Sequence, residues 1–452
     1  MVNGLDAEVI VVGGGVAGIA AAAALAERGV DTLIVEADDE LGGKAKSVAI
    51  DGTLLERGPN SFHGRHDAMW RLLGLLGLAD DAVPLAAVAN KRFLVRDATL
   101  HAIAQHPLSL LTTEALTWGE RAAIVREPFV APRVASDDES VAEFFTRRFG
   151  HSLTEHVVAA ALSGVFAGDL AALSMASALP ALAQWERVYG SVIRGAMKSG
   201  KNGKRGVFRL RGGFSQIGAR AKERLRTRTG LAVAAVEVGQ DRVELAVSDG
   251  PILRCRRAII ATEAHHAAAM LRSARPELAT VLDEIIYEPI AVVHWRAPRC
   301  DLPAGFGLLA APCEKLFAMG TVFTGDLMGT GDKLYASFVG GAHARDRAAL
   351  ADTALLAGIR SDMNALGVAA PDLSLAHVER YTHAVAQPAL GHADRVRAIR
   401  AAALPPLALA GSYLGAASLG AAAVSGFAAA QAVLAGLHAC AASDAVGEVA
   451  RG

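Results

Sequence analysis

Three glycines, Gly13, Gly15 and Gly18, stand in a G-x-G-x-x-G array within Gly13-Gly14-Gly15-Val16-Ala17-Gly18. Such an array suits chemistry at a phosphate. The first glycine allows a tight turn, the second lets a pyrophosphate approach the backbone, and the third lets a helix pack against a strand. Eighteen residues beyond Gly18, at the end of the apolar run Thr32 to Val35, stands Glu36. Its carboxylate is placed to accept hydrogen bonds from ribose hydroxyls. The elements needed to position these groups are legible beside them. Glu8 to Val12 is a β-branched run suited to a strand buried on both faces, and Ile19 to Glu27 suits the helix that follows. Strand, glycine turn, helix, second strand and terminal acid together predict a dinucleotide site, which a lone glycine array would not.

The chain has 452 residues, 52% hydrophobic, 20% charged and 5% aromatic, with 45 basic and 46 acidic side chains for a net charge of -1. That composition excludes a disordered chain and argues against a general nucleic-acid binder. Cys255, Cys300, Cys313 and Cys440 form no C-x-x-C pair, so neither a disulfide framework nor a structural zinc site is expected, and the compartment reads as reducing. None of the fourteen histidines, His265-His266 included, has a metal-site spacing with matching acids, so no metal is expected. There is no signal-peptide pattern. The uncharged stretches Val9 to Ala26 and Ala401 to Ser443 are interrupted by Gly13 to Gly15 and by Pro405, Pro406, Gly411 and Gly415, and are read as buried strand-then-helix units rather than membrane spans.

The extension Leu41-Gly42-Gly43-Lys44 after Glu36 resembles the flavoprotein amine-oxidase superfamily, whose ligand is FAD rather than NAD. The resemblance implies cofactor contacts from Gly13, Gly14, Gly15, Val16, Ala17, Gly18, Glu36, Gly42, Gly43 and Lys44, and from Gly58, Pro59, Asn60 and Ser61. It places the adenine against the backbone of Val233 in an edge strand, Leu231 to Val238. A returning strand, Arg257 to Ala261, and a last one, Leu407 to Gly411, bring Gly411, Ala417, Ser418 and Leu419 beside the flavin ring.

Further segments, in this order, resemble protoporphyrinogen oxidase: Glu56 to Phe62, Asn90-Lys91-Arg92-Phe93, Glu139 to Phe145, Ser163 to Asp169 with Leu173-Ser174-Met175, Gly305 to Leu309, Gly320 to Phe323, Phe338 to Gly341, and Gly411-Ser412-Tyr413 with Ser425-Gly426. This resemblance implies an enzyme with non-covalent FAD that removes six electrons from a porphyrinogen. Hydride leaves a methylene bridge for flavin N5, and oxygen is the acceptor, released as hydrogen peroxide. No catalytic group beyond the flavin is implied. Arg92 matches an arginine that pairs with a propionate, where a guanidinium fork suits a carboxylate. Leu309, Val322 and Phe338 match residues that sandwich the macrocycle, and Gly164 a glycine facing it. Protoporphyrinogen and coproporphyrinogen remain open as substrates. An amine oxidase or desaturase on the same scaffold and a non-catalytic flavin or porphyrin binder are the other readings. The sequence departs from the family at Ala416-Ala417-Ser418-Leu419, where a glycine-valine pair is usual, at Gly420-Ala421-Ala422, and at Leu170 in place of a proline. Cys440 lies too far past the flavin-facing turn for a covalent link.

The fold class expected is α/β, with a Rossmann-like FAD domain built from the discontinuous segments 1–86, 206–280 and 396–452. A helical, membrane-binding insert spans 87–205, and a mixed-sheet substrate domain spans 281–395. Helices are expected at Leu108 to Leu116, Ser140 to Arg148 (opened by a Ser140/Glu143 capping box) and Leu153 to Val165, and at Arg345 to Leu366. Seven basic residues and no acid lie between Arg194 and Arg211. Such a run is either a lipid-headgroup patch or a solvated loop. With a mean hydropathy of +0.32, the expected state is cytoplasmic with peripheral membrane contact, and a homodimer is left open.

Overall fold

The computed structural model describes residues 4–104, 112–133, 137–198, 204, 206–239, 242–403 and 405–449. Its first unit follows from burial on both faces. β1 (Val9–Val12) and β2 (Thr32–Val35) are fully buried four-residue strands. A strand with no solvated face needs helices above and below it, which is the parallel arrangement. β1 lies between β2 and Arg257–Ile260, and the five-stranded parallel sheet is completed by Arg226–Arg228 at one edge and Leu407–Leu409 at the other. Three distant pieces of chain therefore close one sheet. α1 (Val16–Glu27) is alanine-rich, and its first ten residues are all buried. The C-terminal helix Leu419–Val449 lies against it so closely that a Cβ on Gly426 would sit 2.1 Å from the carbonyl oxygen of Ala17.

Every interruption named in the uncharged C-terminal stretch precedes that helix, so Leu419–Leu437 is unbroken and long and apolar enough to cross a membrane. One of its faces, carrying Ala423, Phe427, Ala430 and Val433, is packed into the core under α1.

The second unit is a mixed seven-stranded sheet in the order Ser374–Ala386, Tyr287–Arg296, Leu334–Gly340, Gly320–Val322, Gly307–Ala310, Lys91–Arg96, Thr99–Ala104. Lys91–Arg96 runs parallel to Gly307–Ala310, with Leu94 opposite Leu309. This corrects the boundary expected at residue 87: two strands of the 87–205 insert belong to the substrate sheet. Phe93, Val95, Trp295, Tyr335 and Val339 face one core, closed by Leu355, Ile359 and Met363 of the helix Asp352–Ala365. The long helix expected from Arg345 to Leu366 is instead a short 3-10 turn, Arg345–Ala349, then Asp352–Ala365. Leu350 and Ala351, both extended, separate the two.

The insert past residue 112 contains short helices and no strands among its described residues. Ser140 and Glu143 form the expected capping box on Val141–Phe149, and Thr117 and Glu120 form a second on Trp118–Arg126. The helix expected over Leu153 to Val165 is a π turn, Thr154–Val158, followed by Ala159–Phe166; the first part of the one expected over Leu108 to Leu116 lies outside the described residues. A fully buried ion network holds the insert together. Arg148 donates to Glu127 (2.5 Å) and Glu186 (2.6 Å), and Glu127 also accepts from Ser191 and from the backbone N–H groups of Val192 and Ile193. Neither charge has water to fall back on, so each depends on the other. The insert's outer surface carries large apolar side chains, with Trp118 82%, Phe129 80% and Met197 82% exposed.

Candidate flavin and substrate site

The glycine turn opens exactly one gap for an incoming ligand. Gly13 has φ +103°, and a Cβ there would lie 2.9 Å from Ala261 backbone atoms; a Cβ on Gly18 would lie 1.9 Å from Gly13 O. Those two glycines serve packing. A Cβ on Gly15 would meet nothing within 4 Å, so its backbone faces open space. Across that space, Gly15 forms a bridge with Gly42, and a Cβ on Gly43 would sit 3.1 Å from Gly15 Cα. The N–H groups of Val16, Ala17 and Gly18 open α1 without intrahelical acceptors, and no side chain caps that end. Amides from two loops thus converge where an anion is favoured.

Glu36 is held at the end of β2 by two backbone donors, Gly14 N–H to Oε2 (2.6 Å) and Asp38 N–H to Oε1 (2.9 Å). Each carboxylate oxygen keeps a lone pair for a ribose hydroxyl. Leu231 N–H donates to Glu36 O (2.9 Å), which brings the edge strand Val233–Val238, and Val233 with it, beside the same site. Gly58 packs on Lys44 O, where a Cβ would fall at 2.4 Å, and Pro59, Asn60 and Ser61 follow as a half-buried loop.

At the other end, Gly411 N–H donates to Ser425 Oγ (3.0 Å), and Ser418 Oγ caps the C-terminal helix by accepting from Ala421 N–H (3.0 Å). Ala417 packs against the insert's core, while Leu419 packs on the flavin-side core. The turn therefore sits at the seam between the two bodies. These residues fit a flavin dinucleotide: a two-sided glycine cradle, a ribose acid and a helix-terminal turn surround one space.

Two expected cofactor residues have other engagements. Lys44 Nζ binds Glu263 and the carbonyl of His383, over the rings of Tyr287 and Tyr381. Its ammonium ties the loop to the sheet edge, which leaves its backbone for a cofactor contact. Ser418 Oγ is spent on the helix cap described above.

On the seven-stranded sheet, register decides which side chains share a face, since paired residues and every second residue point the same way. Leu94 pairs with Leu309, Leu309 with Gly320, and Gly320 with Phe338. Arg92, Leu309, Val322 and Phe338 therefore lie on one face, the face turned toward the insert and the glycine cradle. Gly164 joins them: a Cβ there would lie 2.7 Å from Leu309 Cδ2. The five expected substrate residues thus come together from five separate elements of the chain.

Arg92 is the distinctive member. Its side chain is half-buried, stacks over the Phe306 ring at 4.6 Å, and has no carboxylate partner among the described residues, with Nε buried and unsatisfied. Burial alone pushes its pKa down. Other charges on this face are neutralised in place. Arg57 makes two bonds to Glu379 (2.6 and 2.9 Å), a pair the sequence did not single out, and Glu379 stays below its usual range.

Sequence reasoning also missed two ligand-type clusters. Glu263, His265 and His383 offer atoms within 4.8 Å of one another, as do His156, Cys313 and Glu314. Each joins a local pair, Glu263 with His265 or Cys313 with Glu314, to a histidine more than 100 residues away in the chain, so spacing could not reveal it. The basic run between Arg194 and Arg211 is not one patch. Lys204 lies over the Trp70 ring (3.7 Å), and Arg209 is in the strand Val207–Leu210 and reaches Met328 O. Lys201 and Arg205 lie outside the described residues.

A family model described as flavin containing amine oxidoreductase matches residues 16–434, from the first residue of α1 through the sheet face. The chain belongs to that family. It is a flavin enzyme, an oxidoreductase of the flavin amine oxidase superfamily. The mitochondrial protoporphyrinogen oxidase of Nicotiana tabacum is 28% identical over 407 residues, 79% of this chain and 80% of that one. The coproporphyrinogen III oxidase of Bacillus subtilis is 30% identical over 248 residues, about half of each chain. A crystal structure from Exiguobacterium, provisionally named a protoporphyrinogen oxidase, matches 95% of this chain and 99% of its own with a TM-score of 0.79 at 20% identity, a likeness of fold.

Proposed function

We propose that the chain oxidises protoporphyrinogen IX to protoporphyrin IX with non-covalent FAD and oxygen. The observation that carries this reading is Arg92: a half-buried cation with no carboxylate partner among the described residues, on a sheet face whose charged pair, Arg57 and Glu379, is already neutralised. Such a cation is stabilised when a carboxylate arrives, and a guanidinium takes a propionate through two parallel bonds. Phe338 and Val322 would cover the macrocycle from the sheet side, and the Gly164–Leu309 contact would border it from the insert. FAD supplies the two-electron acceptor, so that three turnovers, each yielding one hydrogen peroxide from oxygen, remove six electrons. The protein's part is to hold the macrocycle in line and keep water out. Consistent with that, Glu379 on this face is engaged by Arg57, and burial pushes the Tyr381 phenol up, so neither is a free acid or base.

The exposed Trp118, Phe129 and Met197, with Arg194 and Lys198 close by, support peripheral attachment of the insert to a membrane on the cytoplasmic side. A homodimer is compatible with this arrangement.

The test is growth of porphyrin fluorescence with purified, FAD-loaded protein given protoporphyrinogen and coproporphyrinogen in parallel. Faster turnover of protoporphyrinogen is expected. Faster turnover of coproporphyrinogen would move the reading to that substrate. A flavin-loaded protein that oxidised neither would overturn it.

A further inference from the structure

His156, Cys313 and Glu314 meet where the insert touches the substrate sheet. His156 lies in the middle of the π turn Thr154–Val158, and Cys313 and Glu314 lie in the 3-10 turn Pro312–Glu314 directly after the strand carrying Leu309. Cys313 Sγ is 3.3 Å from His156 Nδ1, and Glu314 Oε1 is 3.5 Å from the same nitrogen. One imidazole nitrogen has either a proton or a lone pair, and so serves one of these neighbours at a time. If it accepts from the thiol, it faces the Glu314 carboxylate with a lone pair. If it donates to Glu314, the thiol keeps only its weak bond to Glu155 O at 3.7 Å. The Glu314 side chain is only 8% exposed and has no hydrogen bond among the described residues. Arg96, whose charge acts on Cys313, is committed to Glu120 and Ala115 O.

We propose that these three side chains are the ligands of a zinc(II) site. With zinc bonds of about 2.3 Å to sulfur and about 2.0–2.1 Å to nitrogen and oxygen, neighbouring tetrahedral ligand atoms lie roughly 3.3–3.6 Å apart. The two observed separations fall in that range without movement. A cation at the centre gives the thiolate, the nitrogen lone pair and the carboxylate a common partner, and three ligands leave a fourth position for water. A π turn often marks a place where helix register is shifted for function, and here it carries the histidine. Bound zinc would pin the helix leading to Gly164 onto the strap that follows Leu309. The site does not depend on the oxidase reading, because binding is measured without substrate.

The experiment uses flavin-loaded, full-length protein stripped of metal by a chelator. Zinc is titrated in competition with a chromophoric chelator, and cobalt(II) is added separately to read the ligand set from bands beyond the flavin absorption. One zinc per chain is expected, together with tetrahedral cobalt bands and a raised Tm. Cys313→Ser and Glu314→Gln should each weaken zinc binding by more than about a hundredfold, beyond what loss of a merely supporting residue costs. His265→Gln should leave it unchanged. Flavin absorbance of each variant checks the fold, and Glu314→Gln, nearly the same shape, decides if Cys313→Ser misfolds. Absence of stoichiometric zinc, or unchanged binding in both ligand variants, overturns the proposal. So does loss of binding in His265→Gln alone, which would place the metal at Glu263, His265 and His383.

Discussion

The desolvation of Arg92 is offset only in part by its stack on the Phe306 ring, with no carboxylate among the described residues, and a bound carboxylate would offset the rest. Propionate binding is shared by the ground and transition states, so its loss should appear mainly in KM. Arg92→Ala is expected to raise KM for a porphyrinogen by about 10–100-fold, the worth of a charged hydrogen-bonded pair, with a smaller change in kcat. Arg92→Lys should recover only part, lacking the planar fork. An unchanged KM in steady-state kinetics would remove Arg92 from the site. A second residue acts through pH. Burial raises the Glu56 carboxyl to about 7, against lowering by Ser47 and the Phe214 N–H, while the unfolded chain ionises near 4.5. The folded protein therefore holds a proton that the unfolded chain has released. Stability is highest below 4.5 and falls as pH rises through about 7, by on the order of 3 kcal/mol. Glu56→Gln should flatten that slope in denaturant titrations at pH 5 and pH 8; a parallel slope in the variant would assign it to other groups. The glycine turn and its acid were legible because each answers a local demand. Gly13 and Gly18 have no room for a side chain, and Glu36 ends a strand at a fixed distance. Arg148 with Glu127, and Glu314 with His156, were not, because their meaning lies in a partner brought near only by tertiary structure.

At the scale of elements, the glycines of the cradle separate into those that pack and Gly15, which faces open space. Gly15→Ala adds a methyl group to open space at φ -70°, an unstrained conformation. It should leave the apoprotein's Tm nearly unchanged while lowering flavin affinity at least about tenfold, measured by flavin fluorescence on release. A large loss of apoprotein stability would mean that Gly15 is structural. Gly426→Val is the converse case. Its side chain would press into Ala17 O and part the C-terminal helix from α1, at a cost of about 1–3 kcal/mol or more. Lower Tm accompanied by flavin loss is expected, and intact stability would show that the two helices can separate freely. The parallel sheet around β1 was readable because double burial leaves continuous apolar runs. The pairing of Lys91–Arg96 with Gly307–Ala310 was not, since neither four- to six-residue strand carries a mark of a partner more than 200 residues away.

At the scale of the molecule, the proposed membrane contact rests on the exposed Trp118, Phe129 and Met197 of the insert and the bases beside them, and basic residues near anionic headgroups would add about 1 kcal/mol each. Replacing Trp118, Phe129 and Met197 together by serine should reduce co-sedimentation with vesicles rich in anionic lipid, with flavin content unaltered. Undiminished sedimentation would leave the C-terminal helix as the alternative contact. That helix has a consequence of another kind. α1 is made within the first thirty residues, but the face that covers it is near residue 427, and the strands Arg257–Ile260 and Leu407–Leu409 also come late. At roughly 5–20 residues per second, the ribosome delivers these partners tens of seconds after α1. During synthesis an alanine-rich apolar surface waits uncovered, so the newborn chain should draw on holding chaperones. Tags or fusions at the C-terminus will disturb the last step of assembly more than those at the N-terminus.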